Sequence, residues 1–141
     1  MLVKEILELK GKALYTIAPD KSLQEAVATM VDQDVGSLVV FEKGRMAGLL
    51  AFREVLQAVR KHADIWASLK VAEVMQVNPH TAGPNVEVDE LRRMMLENRA
   101  RYVPIIDGSL LLGVVTFFDV AKAVLDEKSY ENNLLKDYIS R

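Results

Sequence analysis

Apolar residues recur with helical spacing at two places in the chain. In both places they follow the i, i+3, i+4, i+7 series of a helix that buries one face. The first set is Leu23, Ala26, Val27, Met30 and Val31, and the second is Val88, Leu91 and Met95. The pattern predicts one amphipathic helix near the start of each half of the chain.

Two short apolar runs follow each of these helices, with a turn between them. SLVVF and MAGLLA flank Lys43-Gly44 in the first half, and YVPII and LLLGVVT flank Asp107-Gly108 in the second. A strand, a tight turn and a second strand are the signature of a β-hairpin. The nearly continuous apolar runs predict strands that are buried on both faces.

Helical spacing resumes after each hairpin, and a short extended piece comes before Pro19 and Pro84. The second helices are predicted at Phe52–Lys61 and Phe117–Glu127. Each half of the chain is therefore predicted to be a β-α-β-β-α unit, and the fold class to be α+β.

The two halves are copies of one another. Shifted by 65 residues, Thr16–Val59 aligns on Thr81–Val124 without a gap, and nine of the 44 positions are identical. Apolar residues also align with different apolar residues, since Leu38 aligns with Val103 and Val40 with Ile105. Two copies of one unit have similar folds, and a period of this size indicates a duplicated small domain rather than a solenoid.

A short leader also repeats, as VKEIL at Val3–Leu7 and VAEVM at Val71–Met75. The sequence thus divides into a first repeat with its leader at 1–66, a second repeat at 67–127 and a C-terminal amphipathic helix at 128–141. The tail is too small to bury its own apolar face, so we expect it to dock on the body or on a second subunit. This face consists of Leu134, Leu135, Tyr138 and Ile139.

Composition narrows the possible functions. The chain has 141 residues, half of them apolar, which suits one domain or two small halves that share a core. There is no cysteine, and His62 and His80 stand outside any metal-ligand spacing, which argues against disulfides and a metal site. A net charge of −2 and sparse aromatic residues argue against nucleic acid.

The same inspection argues against an enzyme and against a membrane protein. No spacing supports a Cys/His or Ser/His pair, and there is no GxxxxGK phosphate loop. The N-terminal MLVKEILELKGK interleaves charged and apolar residues, so it is neither a signal peptide nor a membrane span. We expect a soluble cytoplasmic protein.

The stretch GVVTFFD, Gly113–Asp119, carries the candidate chemistry. A threonine at a helix start with an acid three residues later is a capping box, which needs no ligand. The same geometry suits a sugar phosphate. Free amides at a helix N-terminus attract phosphate, and a carboxylate one turn later accepts hydrogen bonds from a ribose diol. Spacing alone leaves both readings of Thr116 and Asp119 open.

A leader, a helix ending near Met30 or Met95, a hairpin and a second helix follow one another in each half, and the second half carries RYVPIID and GVVTxxD. This arrangement resembles the CBS domain pair, named after cystathionine beta-synthase and also called a Bateman module, over residues 1–127. The resemblance implies two halves related by a pseudo-twofold axis and two clefts for adenosine compounds. AMP, ADP or ATP are the implied ligands, with NAD or S-adenosylmethionine as other members of the class. It also implies a regulatory, non-catalytic protein that pairs as a flat homodimer.

The resemblance assigns roles to particular residues. Thr116 and Asp119 become the phosphate and ribose contacts. The adenine pocket would be lined by His80, Thr81 and Ala82 and by the strand residues Arg101, Tyr102, Val103 and Pro104. Tyr102 is equally an ordinary half-buried strand aromatic, and Pro104, which lacks an N–H, fits an edge or cleft position.

The first repeat departs from this pattern. Its equivalent segment is GLLAFRE, with Ala51 in place of the threonine and Glu54 in place of the aspartate. We therefore expect a degenerate site near Thr16, Arg53 and Glu54, with weak binding or none. Arg53 is either a phosphate contact or an ordinary exposed helix residue.

The sequence thus predicts a free-standing sensor of adenosine nucleotides that acts through a homodimer on an unidentified target protein. The alternative is a ligand-free dimerisation or interaction module, in which Thr116 and Asp119 only cap a helix.

Overall fold

The structure is a computed structural model and describes residues 1–139; Ser140 and Arg141, at the end of the predicted tail, lie outside this range. The elements follow in the order α1 (Val3–Lys10), β1 (Thr16–Ile17), α2 (Leu23–Gln33), β2 (Ser37–Glu42), β3 (Arg45–Ala51), α3 (Phe52–Lys61), a 3₁₀ turn (Trp66–Ser68), α4 (Val71–Val74), α5 (Val88–Asn98), β4 (Tyr102–Asp107), β5 (Leu110–Thr116) and α6 (Phe117–Ile139).

The two repeats share one hairpin geometry. Strand β2 pairs antiparallel with β3, and β4 with β5, and each hairpin shifts register once, after Val40 in the first and after Ile105 in the second. These residues are 65 positions apart, so even the irregularity is duplicated. The α+β fold with tandem repeats is confirmed.

The first strand of each unit is short. In the first repeat, β1 pairs parallel with β2, with Thr16 opposite Val39. In the second repeat the strand shrinks to one bridge between Ala82 and Ile105. The Ala82 N–H donates to the Pro104 carbonyl at 3.1 Å, so Pro104 lies inside the sheet rather than at its edge. One sheet therefore has three strands, and the other is a hairpin with a single added bridge.

The leaders exchange places between the repeats. Helix α1 packs Val3 and Ile6 into the core of the second repeat, and Val71 of α4 enters the core of the first. Each lobe in space therefore joins one repeat to the leader that precedes the other. This differs from the sequence division at 66/67, which places the N-terminal leader with the first repeat.

Two glycines allow the leaders to cross. Gly48 and Gly113 occupy the same position in the two repeats, and each lies beneath the crossing leader. A methyl group on Gly48 would collide with the Gln76 carbonyl, and one on Gly113 would lie 2.9 Å from a methyl of Leu7. Side chains at these positions would push the leaders off the sheets.

The two sheets face each other across the middle of the molecule. Val39, Leu49 and Leu111 are buried between them, and Tyr102 and Val114 pack against this cluster. The opposite faces of the strands pack on the helices of their own lobes. The strands are therefore buried on both faces, as the continuous apolar runs predict.

The C-terminal segment differs from the prediction of a separate tail helix. Residues 117–139 form one continuous helix, because no glycine or proline interrupts them. The tail does not dock on the body. Its apolar residues Leu134, Leu135, Tyr138 and Ile139 are between 51% and 79% exposed. No helix within residues 1–139, this one included, is long and apolar enough to cross a membrane.

We predict that Gly48→Ala destabilises the protein by about 1–3 kcal/mol, because the Gln76 backbone must move to admit the methyl group. Gly113→Ala should cost less, since the side chain of Leu7 can rotate away. Gly83→Ala is the control, because its new methyl would come no nearer than 3.9 Å to its neighbours. Urea unfolding measures all three, and equal free energies of unfolding for Gly48→Ala and Gly83→Ala would contradict the crossing argument.

Candidate functional site

Two clefts lie where the two repeats meet, and each takes its walls from both. The Thr116 cleft has a volume of about 840 Å³ and contains the start of α6. The Glu54 cleft has a volume of about 620 Å³ and contains the start of α3. Their walls correspond through the 65-residue shift, so His80 in one cleft takes the place of Tyr15 in the other.

Thr116 and Asp119 form a complete capping box at the start of α6. The Asp119 N–H donates to Thr116 Oγ1 at 3.1 Å, and the Thr116 N–H donates to Asp119 Oδ2 at 2.8 Å. The Asp119 side chain is 16% exposed. Both residues therefore perform the capping role, whatever else they do.

Lys10 also contacts this box. Its Nζ lies 2.7 Å from Asp119 Oδ2 and donates to the Val114 carbonyl at 2.8 Å. Thr116 and Lys10 line the cleft; Asp119 does not line it but contacts both of them. Lys10 could not be predicted from the sequence, because only the crossing of α1 onto the second repeat brings it here. A hydroxyl and an ammonium group of the cleft wall thus lie beside a carboxylate.

Arg101 and Tyr102 separate the two clefts and line both. The Tyr102 ring meets Phe52 edge to face, with 6.1 Å between centroids, and the Arg101 guanidinium lies 5.5 Å from the Phe52 centroid. Burial raises the pKa of the Tyr102 hydroxyl, and the charge of Arg101 partly offsets this. The Tyr102 hydroxyl packs against Gly36, where any side chain would collide with it.

The structure separates the residues expected to line one adenine pocket. Arg101 and Tyr102 do line the Thr116 cleft, but His80 lies in the Glu54 cleft. Val103 and Pro104 are buried inside the second sheet. The expectation that His80 shares a cleft with Thr116 is therefore wrong.

His80 lies away from Thr116 because of the paths of the chain segments that lead into the first strand of each repeat. Ala82 pairs within the second sheet, and neither it nor its neighbour Thr81 lines either cleft. Thr16 likewise pairs in the first sheet and lies outside the Glu54 cleft, while the residue before it, Tyr15, lines the Thr116 cleft. Each repeat thus sends its entry segment to the helix start of the other repeat.

The start of α3 has half of the equivalent capping box. Glu54 is only 7% exposed, and its Oε1 accepts hydrogen bonds from the Ala51 N–H at 2.9 Å and from Gln76 Nε2 at 3.0 Å. Ala51 has no hydroxyl that could accept a hydrogen bond from the Glu54 N–H. Gln76 comes from the crossing second leader, as Lys10 comes from the first. Arg53 lines this cleft and is exposed.

Residues 1–139 contain no group of three or more histidine, cysteine, aspartate or glutamate side chains placed to hold a metal ion.

Comparisons with known proteins agree with this architecture. The sequence matches the CBS domain family over residues 3–61 and 71–126. It is 29% identical to the CBS domain-containing protein YhcV of Bacillus subtilis over 81% of each chain. The structure is similar to that of the CBS-domain containing protein ATU1752 from Agrobacterium tumefaciens, with a TM-score of 0.84, 30% identity and coverage of 87% of this chain and 98% of that one.

A further solved structure has the same fold at lower identity. It is the CBS domain pair of protein MJ0100 from a complex with 5′-methylthioadenosine and S-adenosyl-L-methionine, with a TM-score of 0.78 and 23% identity over 90% of this chain and 98% of that one. Because the family match covers both repeats and their leaders, the chain belongs to the CBS domain family and is built as a CBS domain pair.

Proposed function

We propose that the protein is a non-catalytic regulatory sensor that binds an adenosine nucleotide of the AMP, ADP or ATP type in the Thr116 cleft. The observation that carries this proposal is the meeting of Thr116, Asp119 and Lys10 at one helix start. Each of the three groups matches one part of a sugar phosphate.

The ribose and phosphate have separate partners in this cleft. Asp119 Oδ2 is used by the Thr116 N–H and by Lys10, while Oδ1 has no hydrogen-bond partner among residues 1–139. A ribose diol can therefore bond to the carboxylate. The N-terminus of α6, the Thr116 hydroxyl and the cations Lys10 and Arg101 suit the phosphate.

The apolar part of the same cleft suits an adenine ring. Tyr15 and Tyr102 line it together with Val39, Leu111 and Val114. We therefore assign the adenine contacts to these residues instead of His80–Ala82. A base enclosed by such side chains gains apolar contact and, beside tyrosine rings, stacking.

The ligands of the MJ0100 domain pair support an adenosine ligand, since both of its named compounds contain adenosine. They also keep S-adenosylmethionine, beside NAD, among the compounds to be tested. A cleft of about 840 Å³ has room for a mononucleotide.

Lys10 provides selectivity for a phosphorylated ligand. Without ligand its ammonium neutralises Asp119 at 2.7 Å. A nucleotide phosphate can take over this ammonium, which leaves the carboxylate to the ribose. A nucleoside lacks the phosphate and must compete with Lys10 for Asp119.

The exposed tail supports a proposal for assembly. Its four apolar residues Leu134, Leu135, Tyr138 and Ile139 find no cover within residues 1–139, so we infer a homodimer that buries them. Ligand binding between the two repeats would alter their packing and be read by an unidentified target protein.

A second candidate function is a ligand-free interaction module. The observation that favours it is a closely similar box in α2, formed by Ser22 and Glu25 outside both clefts. Hydrogen bonds from the backbone and side chain of Ser22 hold the pKa of Glu25 below its usual range. Such a box therefore works as a cap without any ligand.

Replacing the two equivalent acids separates these functions. Asp119→Ala should weaken AMP binding about 10- to 100-fold, because it removes charge-assisted hydrogen bonds to the ribose. Glu25→Ala removes the same part of a capping box and should leave AMP affinity unchanged. Isothermal titration calorimetry compares them. Flat titrations of wild type with AMP, ATP, NAD and S-adenosylmethionine would favour the interaction module.

Lys10→Met tests the phosphate selectivity. We expect AMP affinity to fall about 10-fold, since one charged phosphate contact is lost. Adenosine affinity should stay the same or rise, because Asp119 no longer has a competing ammonium. Titration of both compounds gives the ratio, and an AMP-to-adenosine preference equal to that of wild type would contradict the role of Lys10.

The proposed role of the tail predicts that changing its apolar residues lowers the mass of the protein in solution. Wild type should be a dimer, and Leu134→Glu with Leu135→Glu should be a monomer, because charges replace the apolar contact. Asn132→Glu with Asn133→Glu is the matched control on the same helix and should remain a dimer. Sedimentation equilibrium measures the masses; a monomeric wild type or a dimeric leucine variant would show that the tail does not form the interface.

A further inference from the structure

The Glu54 cleft carries an unbalanced positive charge. Arg53, Arg99 and Arg101 line it from three places in the chain, and Glu54 is its one acidic residue. Within residues 1–139, none of the three arginines forms an ion pair with a carboxylate. In a chain with a net charge of −2, this cluster is not a consequence of overall composition.

Two of the three arginines are specific to this cleft, because Arg53 and Arg99 line the Glu54 cleft alone whereas Arg101 lines both clefts. All three arginines occupy positions whose counterparts, 65 residues away, line the Thr116 cleft without a positive charge. The counterparts are Asp34 for Arg99, Gly36 for Arg101 and Phe118 for Arg53. The Glu54 cleft therefore has three arginines, whereas the Thr116 cleft has Lys10 and the shared Arg101.

The groups that suit a ribose are weakened in the same cleft. Ala51 offers no hydroxyl, and Glu54 is 7% exposed and bonded through Oε1 to the Ala51 N–H and to Gln76. The buried carboxylate is held by its own helix and by the crossing leader. Ribose recognition is thus reduced where phosphate recognition is strengthened.

We propose that the Glu54 cleft is an oligophosphate site, which binds two or more linked phosphates through Arg53, Arg99 and Arg101 and does not recognise a ribose. Each guanidinium group can bind two phosphate oxygens at once. A ligand that contacts three guanidinium groups therefore needs more than one phosphate. A single phosphate has only about two negative charges at neutral pH. The Arg101 guanidinium is already held 5.5 Å from the Phe52 ring centroid. Its side chain therefore loses less conformational freedom when a ligand binds.

Inorganic pyrophosphate is the probe for this proposal. Titrated into wild type at low ionic strength, it should bind at one site per chain. Arg53→Gln with Arg99→Gln should weaken this binding about 10-fold or more, because two charge-assisted contacts are lost. Both side chains are exposed, so the folded core is unaffected, and circular dichroism verifies this.

The control removes the same charge elsewhere on the same helices. Arg60→Gln with Arg93→Gln changes two exposed arginines of α3 and α5 that do not line the cleft. It should leave pyrophosphate affinity within about two-fold, since exposed charges at a distance are screened by salt. Equal losses in the two double variants, an unaffected Arg53/Arg99 variant, or no binding to wild type would each overturn the proposal.

A second arm identifies the source of the phosphates. If the ligand is the phosphate chain of a nucleotide, ATP should displace pyrophosphate from wild type, and the Arg53/Arg99 variant should bind one ATP fewer per chain. If the ligand is a free oligophosphate, ATP should leave pyrophosphate binding unchanged. Arg53 and Arg99 line the Glu54 cleft alone, so their double variant distinguishes failure of this site from failure of nucleotide binding in the Thr116 cleft.

Discussion

The two leaders exchange places between the repeats, and this packing joins the two lobes. Helix α1 completes the core of the second repeat, and the second leader completes that of the first, so neither repeat has a whole core of its own. The exchange requires a glycine beneath each leader, at Gly48 and Gly113. It also brings Lys10 to Asp119 and Gln76 to Glu54, so the packing that holds the lobes together builds the two clefts.

Duplication gives two clefts with one frame and different chemistry. In both, the acid of a helix start accepts hydrogen bonds from its own backbone and from the other repeat's leader. In the Thr116 cleft, that donor is a charged lysine that a phosphate can attract. In the Glu54 cleft it is the neutral Gln76, the acid is buried, and the positive charge lies on arginines instead. The same scaffold thus presents two clefts that differ in charge and in hydrogen-bonding groups.

Much of the fold could be predicted from the sequence, because its signals are local. Apolar spacing located the helices and hairpins, the 65-residue shift located the repeats, and the Thr116/Asp119 spacing predicted a capping box that the structure shows. The positions of Lys10 and His80 could not be predicted, since they depend on which lobe a leader or an entry segment joins. The continuity of α6 was also missed: an apolar face that ends at Val124 and resumes at Leu134 does not by itself mark a helix end.

The most direct test of the account is a crystal structure of the protein with AMP at saturating concentration. The account predicts AMP in the Thr116 cleft, its ribose hydroxyls within hydrogen-bond distance of Asp119, and the Lys10 ammonium moved from the carboxylate to the phosphate. A Thr116 cleft that stays empty, with Lys10 still bonded to Asp119 and no nucleotide between the repeats, would contradict it.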